Sequence, residues 1–551
     1  MKRKLAILFV VILALAVALT GCNDKGSSGA TSKKGSGSAK GNKPLVIGLS
    51  PAGSWQENFN PFSTNANGGT NGLIYQPLYF FDNISGNTYP MLATKIEWTN
   101  NNKTLLATIR DGVKWSDGQP FTIDDVLFTF ELLKKYPAAD TNGIWKEVSS
   151  VEKQGDNQVA FNFNQPNVPF QSYVLGVDIV PKHIWKDLGD PSKAKITKPV
   201  GTGPYVLESF TAQLYKMKAN PKFYGGEYTV KELQFPVYSG NDSEQLALTK
   251  GQLDWAGIFI PDIDKIYTSK NEHNHYWFPP NNIVMLYTNL KNPILKDVNV
   301  RKAISLALNR EQMSKQAESG YEPLASPTGL LLPRDKDWID PSIPEEKLKL
   351  SYDPKKAVET LEKAGYKKGS DGIFVSPAGK KLSFTLQTVS GWTDWATIAQ
   401  LISQQLKAVG IQVKVEQPEY GAYAANVTGH QFDLAISWTN AGPDPYRQYQ
   451  DLLNSHGGWN LEQWNDPKTD DMLKAYQGTL DKTKQKEAIN YLQNVMVDQM
   501  PSVPLLFGAT WYEYRDENFT GWPTEEDPYV NPAPFNWPAP AVVLSKLKPA
   551  K

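Results

Sequence analysis

From about residue 240 onward, apolar residues recur at helical spacing, with short alternating runs between them. Val300, Ala303, Ile304, Ala307 and Leu308 share one face of a helix predicted over 299–310. Asp353 stands before Pro354, and Ala357, Val358, Leu361 and Ala364 form a stripe that stops at Gly365. Such a helix has an acidic cap, a proline at its first position and a glycine at its end. Leu382 to Thr388 reads as a strand; Ile398, Leu401, Ile402, Leu406 and Val409 define a helix; Gly410 leads into the strand Ile411–Val415. This order predicts a β-α-β unit, hence an α/β domain with a parallel sheet. Gly391-Trp392-Thr393-Asp394-Trp395 falls where the first strand hands over to the helix, the end of such sheets where ligands collect.

Before residue 240 the pattern is mostly extended. Lys43 to Leu49 alternates as a first strand, a loop containing Trp55 comes next, and Leu105 to Ile109 is a second strand. Thr122 and Asp125 form a capping pattern ahead of Val126, Leu127, Phe130 and Leu133, which share a helical face. Gly201-Thr202-Gly203-Pro204 interrupts the run. Glycine tolerates the angles of a hinge or a tight crossing and proline fixes the backbone angle beside it, so this is either a hinge or a simple turn.

The amino terminus has a different pattern. Lys2, Arg3 and Lys4 precede an uninterrupted apolar run, Leu5 to Leu19, and Leu19-Thr20-Gly21-Cys22 closes it. That is the layout of a secretory signal peptide over residues 1–21. As a helix the run spans ~22 Å, short of the ~30 Å hydrocarbon core. Cys22 is the single cysteine in 551 residues, so no disulfide framework is being built. The string resembles a bacterial lipobox, which implies cleavage before Cys22 and its lipidation. Residues 22–43 are then a tether, since Asn23 to Lys43 holds Gly, Ser, Lys, Asn and Ala and too little apolar surface to order itself.

Fifty-seven basic and 57 acidic residues balance, which gives nucleic acid no electrostatic footprint. The aromatic content is high, with 16 Trp, 25 Tyr and 22 Phe, and many rings lie in polar, loop-like settings. Trp392, Trp395, Trp438 and Trp459 are the clearest cases. Each is either a cleft filler or a flat platform for an uncharged ligand; together they favour platforms. The competing class is a secreted glycoside hydrolase, but no spacing marks a catalytic carboxylate pair. His-Glu-x-x-His, Gly-x-Ser-x-Gly, Walker and EF-hand patterns are absent from the sequence. His273 and His275 make a His-x-His pair without an obvious third ligand, which reads as a solvated loop. The expectation is a non-enzymatic binder that needs no cofactor and no metal.

Six phrases in order carry a family resemblance: residues 105–133, 199–205, 219–224, 299–310, 352–366 and 432–438. They resemble the extracellular solute-binding proteins of bacterial ABC importers, in the oligopeptide and dipeptide class. The resemblance implies an α/β, two-lobed periplasmic-binding-protein fold (type II, large three-domain variant) with a hinge and an interlobe ligand cleft. It assigns domain I to 44–81, 200–305 and 505–551, domain II to 82–199 and domain III to 306–504. It implies a monomer held to the membrane by its lipid, delivering solute to permease subunits. Peptide-binding members hold the ligand's ammonium with an aspartate in a Trp-x-x-Asp-x-x-Asp-Pro pattern. Here Trp438 and Asp444-Pro445 match, but Ala441 stands at that aspartate's place. An unpartnered buried ammonium costs several kcal/mol, about 3–5 where a partner is lost. The lost charge and the added rings favour a neutral, hydroxyl-rich ligand. Since some members of this class bind β-linked oligosaccharides, the resemblance implies such a ligand, with di- or oligopeptide as the alternative. Trp392, Trp395, Trp438 and Trp459 are the expected platforms and Asn440 an edge hydrogen-bonder. Trp55 and Asn289 are expected to face them from domain I, and Asp444 is a turn former.

Overall fold

A computed structural model describes residues 43–551 apart from 50–53, 64, 239 and 240. The leader, Cys22 and all but the last residue of the tether lie outside the described residues. Among those described, no helix is long and apolar enough to cross a membrane.

Three bodies, each with its own sheet or sheets, organise the chain. One is a four-stranded antiparallel sheet in the order Ala93–Thr99, Thr104–Ile109, Gln158–Phe163, Val148–Gln154. Helix Ile123–Lys135 lies on it and buries Val126, Phe130 and Leu133 against Leu105 and Phe161. Its capping box forms as the sequence predicts, with the Thr122 amide donating to Asp125 Oδ2 at 2.9 Å.

The second body joins distant segments. Leu45–Val46 pairs in parallel with Glu232–Pro236, which continues through Leu214–Ala219 to Tyr205–Phe210. A three-stranded sheet of Trp255–Ala256, Glu513–Arg515 and Asn274–Tyr276 adjoins it through the Ile47–Trp255 bridge. Gly201 and Gly203 serve close approach here. A Cβ at Gly201 would lie 1.8 Å from the Ile74 carbonyl oxygen, and one at Gly203 2.2 Å from that of Leu73.

The third body is a five-stranded sheet in the order Gln412–Glu416, Ser383–Gln387, Leu434–Trp438, Pro280–Thr288, Val503–Ala509. The predicted β-α-β unit is present: Ser383–Gln387 and Gln412–Glu416 pair in parallel around helix Thr393–Ala408. The sheet as a whole is mixed, because Pro280–Thr288 runs antiparallel to both its neighbours. This changes the domain division. Strands 280–288 and 503–509 and helix Val298–Ala307 belong with the third body's core, where Ile283, Leu286, Ile304 and Leu505 pack together. By sheet membership the crossings fall near 279 and 510, not at 305 and 504. Long-range strand pairing decides this, and local pattern does not report it.

The helix expected over 299–310 is two helices, Val298–Ala307 and Arg310–Ala317. Asn309 caps the second by accepting from the Gln312 amide. Arg310 is fully buried, and its guanidinium donates to the carbonyls of Ser305, Leu308 and Pro504. It thereby satisfies carbonyls that the end of the first helix leaves free.

Candidate ligand-binding site

Gly391 sits at φ +83, a backbone angle glycine adopts readily, and turns the chain from strand Ser383–Gln387 into helix Thr393–Ala408. Trp392 takes the N-cap position and Trp395 the first turn. Their rings meet edge to face, 5.1 Å apart. Trp438 ends the adjacent strand and completes the group, 6.0 Å from Trp392 in a near-stacked arrangement and 5.4 Å from Trp395. Tyr420 stacks on the far side of Trp392 at 5.8 Å.

Trp459 supports this group from beside it. Its ring is 6.4 Å from Trp438, and its indole N–H donates to the Trp438 carbonyl at 3.0 Å. The Tyr287 hydroxyl donates to the same oxygen at 3.2 Å. By contrast, the indole N–H groups of Trp392, Trp395 and Trp438 have no protein acceptor among the described residues.

These three tryptophans wall a cavity of about 400 Å³. Phe259 and Trp511, 5.3 Å apart, close it from the second body. Asn282, Val284, Gly508 and Ala509 line it from the two strands that cross between the bodies. Glu322 and Asp394 supply its acidic groups, and among the described residues no lysine or arginine lines it. Burial, the largest influence, pushes Glu322 up to about 8; the Ala509 amide, 2.9 Å from Oε1, works the other way, and Asp394 adds to the rise. Burial also raises Asp394, against hydrogen bonds from the amides at the helix start.

The remaining expected residues are placed elsewhere. Trp55 packs edge-on against Tyr215 and donates its N–H to the Phe235 carbonyl, so it belongs to the second body's core. Asn289 donates to the carbonyls of His430 and Phe432 and accepts from Gln463, tying loops at the other end of its strand. Asn440 turns its amide to Asp451, which also pairs with Arg447 at 3.2 Å. Asp444 accepts from the Tyr446 amide as a turn residue does. Ala441 packs against the third body's core. His273 and His275 both face Asp516, at 2.7 and 3.2 Å, and line no part of the tryptophan cavity. Sequence reasoning missed Trp511, Phe259 and Glu322. Trp511 comes just after the strand Val503–Ala509 with one residue between, and that exit from a crossing strand was the available signal.

The lobes also touch outside the cavity. Asn83 donates to Asn281 Oδ1 at 2.7 Å, Arg334 donates to the Asn83 carbonyl, and Arg447 meets the Tyr173 hydroxyl. A second cavity of about 460 Å³ lies between residues 146–167 and 454–478 and has no tryptophan among its described lining residues.

A cavity between sheet-based lobes, crossed by two strands, defines a two-lobed solute-binding protein. The model of bacterial extracellular solute-binding proteins, family 5, matches residues 87–460, and the chain belongs to that family. It is 27% identical over 524 residues to the oligopeptide-binding protein AppA of Bacillus subtilis, covering 90% of this chain and 92% of that one. It is 26% identical to the dipeptide-binding protein of Escherichia coli K12, over 81% and 85% of the two chains. The periplasmic oligopeptide-binding protein of a Thermotoga maritima oligopeptide ABC transporter matches at 29% identity with a TM-score of 0.84, covering 92% of this chain and 99% of that one. Its mannohexaose-bound crystal structure matches at 30% identity and a TM-score of 0.76, with the same coverage. The protein is thus the solute-binding subunit of an ABC importer and works outside the cytoplasm.

Proposed function

We propose that the solute is a neutral oligosaccharide whose sugar faces lie on Trp392, Trp395 and Trp438, with Trp511 and Phe259 closing from the other lobe. The observation that carries this reading is the tryptophan wall with its unpaired indole N–H groups. Flat rings suit the apolar faces of sugars, and free donors suit their hydroxyl edges. The mannohexaose complex of the Thermotoga relative supports the same class. Ala441, where the resemblance expects an ammonium-binding aspartate, weakens the case for a peptide terminus. The second reading is a di- or oligopeptide, favoured by the names of the relatives at 26–27% identity.

In this account Cys22 carries a lipid, the tether lets a monomeric body reach the permease, and no chemistry is performed on the solute. Ligand bridges both lobes and shifts the population toward the closed form, which the permease recognises. Thermal unfolding of the full chain against neutral hexaoses and against di- to hexapeptides tests the ligand class. A ligand at 100 times its dissociation constant adds ~2.7 kcal/mol. A midpoint shift with sugars is expected; a shift with peptides alone would replace this reading with the second.

A further inference from the structure

One carboxyl oxygen at the tryptophan cavity has nothing in the protein to bind. Glu322 lines the cavity and is only 6% exposed. Its Oε1 accepts from the Ala509 amide, while its Oε2 is buried without a partner. Behind it Glu318 is 1% exposed, with both oxygens unpartnered. Asp394 lines the same cavity and raises both glutamates, Glu322 also raises Glu318, and among the described residues no lysine or arginine acts on any of the three. Two buried carboxyls beside a third, half-buried one, with no counter-charge, cannot all ionise. The most buried keep their protons, and a protonated carboxyl has an O–H donor that a carboxylate lacks.

Asn282, on the strand paired with Gly508, lines the same cavity. Its Oδ1 is unpartnered, and Gly508 leaves it room, since a Cβ there would lie 2.2 Å from that oxygen. A donor and an acceptor lining one cavity with a wall of rings match the edge of a sugar rather than a charged group.

We propose that Glu322 binds the solute as the neutral acid, donating its O–H to a hydroxyl or ring oxygen of a sugar stacked on the tryptophans. This rests on the oligosaccharide reading and adds a residue and a pH dependence to it. The groups facing Glu322 are Glu318 and Asp394, both acidic. The raised titration sets the sign. The donor is present below it and is lost as pH rises through about 8, where a new negative charge beside Asp394 also repels the hydroxyl oxygens.

The test is calorimetric titration of the full chain with neutral hexaoses, mannohexaose among them, at about pH 6 and about pH 9.5, on either side of the raised value. Wild-type affinity is expected to fall about tenfold at the higher pH. Glu322→Met, which has no donor, binds at both pH values about tenfold more weakly than the wild type does at the lower pH, while Glu322→Gln restores a donor and removes the pH dependence. Asp394→Asn moves the wild-type loss to lower pH, because it removes a charge that raises Glu322. Sugar binding that is flat with pH, or full affinity in Glu322→Met, overturns the inference while leaving the oligosaccharide reading intact. No sugar binding at either pH, with the fold intact, overturns the oligosaccharide reading and the inference together.

Discussion

Trp255 and Trp438 both sit on strands, and the protein uses them in opposite ways. Trp255 is fully buried, donates its indole N–H to the Pro532 carbonyl at 2.9 Å and meets Trp522 edge to face at 5.4 Å. Trp438 is half-buried, ends its strand at the cavity and keeps its N–H free of any protein acceptor among the described residues. Its backbone carbonyl is held instead, by Trp459 and Tyr287. A ring whose polar handle is already bound to its own protein is built into the fold. A ring with a fixed backbone and an unspent donor is available to a ligand. By this criterion Trp55 stands with Trp255, and Trp459 is a support for the platform rather than part of its face.

The two rings should fail differently when removed. Trp255→Ala removes a buried ring and strands a carbonyl, and should cost about 3–5 kcal/mol of stability, read as a lowered urea midpoint. Trp438→Ala should leave that midpoint far less affected and weaken solute binding at least tenfold, ~1.4 kcal/mol. Equal losses of stability in the two variants would erase the distinction. Trp459→Phe keeps a ring but removes the bond to the Trp438 carbonyl, worth about 1 kcal/mol. A smaller affinity loss than for Trp438→Ala is expected from it, and an equal or larger one would make Trp459 a direct platform. The smallest effect is that of Ala441→Asp, which should raise affinity for peptides modestly and leave sugar binding unchanged. No peptide responding to it would remove Ala441 from the question of ligand class.

Local signals in the sequence were reliable where a few neighbouring residues decide the outcome. The Thr122–Asp125 cap, the Asp353-Pro354 start and the β-α-β unit around 383–416 all form. The Trp392–Trp395–Trp438 group could also be found, because a strand end and a helix start on a parallel sheet bring those residues together. Features that depend on partners far along the chain could not be read this way. Strands 280–288 and 503–509 look like any others until they pair with one another and with 434–438. Arg310 falls at the end of one predicted helix in sequence, yet its guanidinium binds the carbonyls at the end of one helix while the residue itself starts the next. Trp511, Phe259 and Glu322 carry no local motif. They come to line one cavity only when the crossing strands lay the second body against the third.

The most direct test of the tryptophan platform monitors tryptophan emission while neutral hexaoses and, separately, peptides are titrated into the wild type and Trp438→Ala. A platform predicts a saturable change with a sugar that weakens at least tenfold in the variant, and no saturable change with peptides. A saturable response to peptides that survives in Trp438→Ala, with none to any sugar, would contradict it.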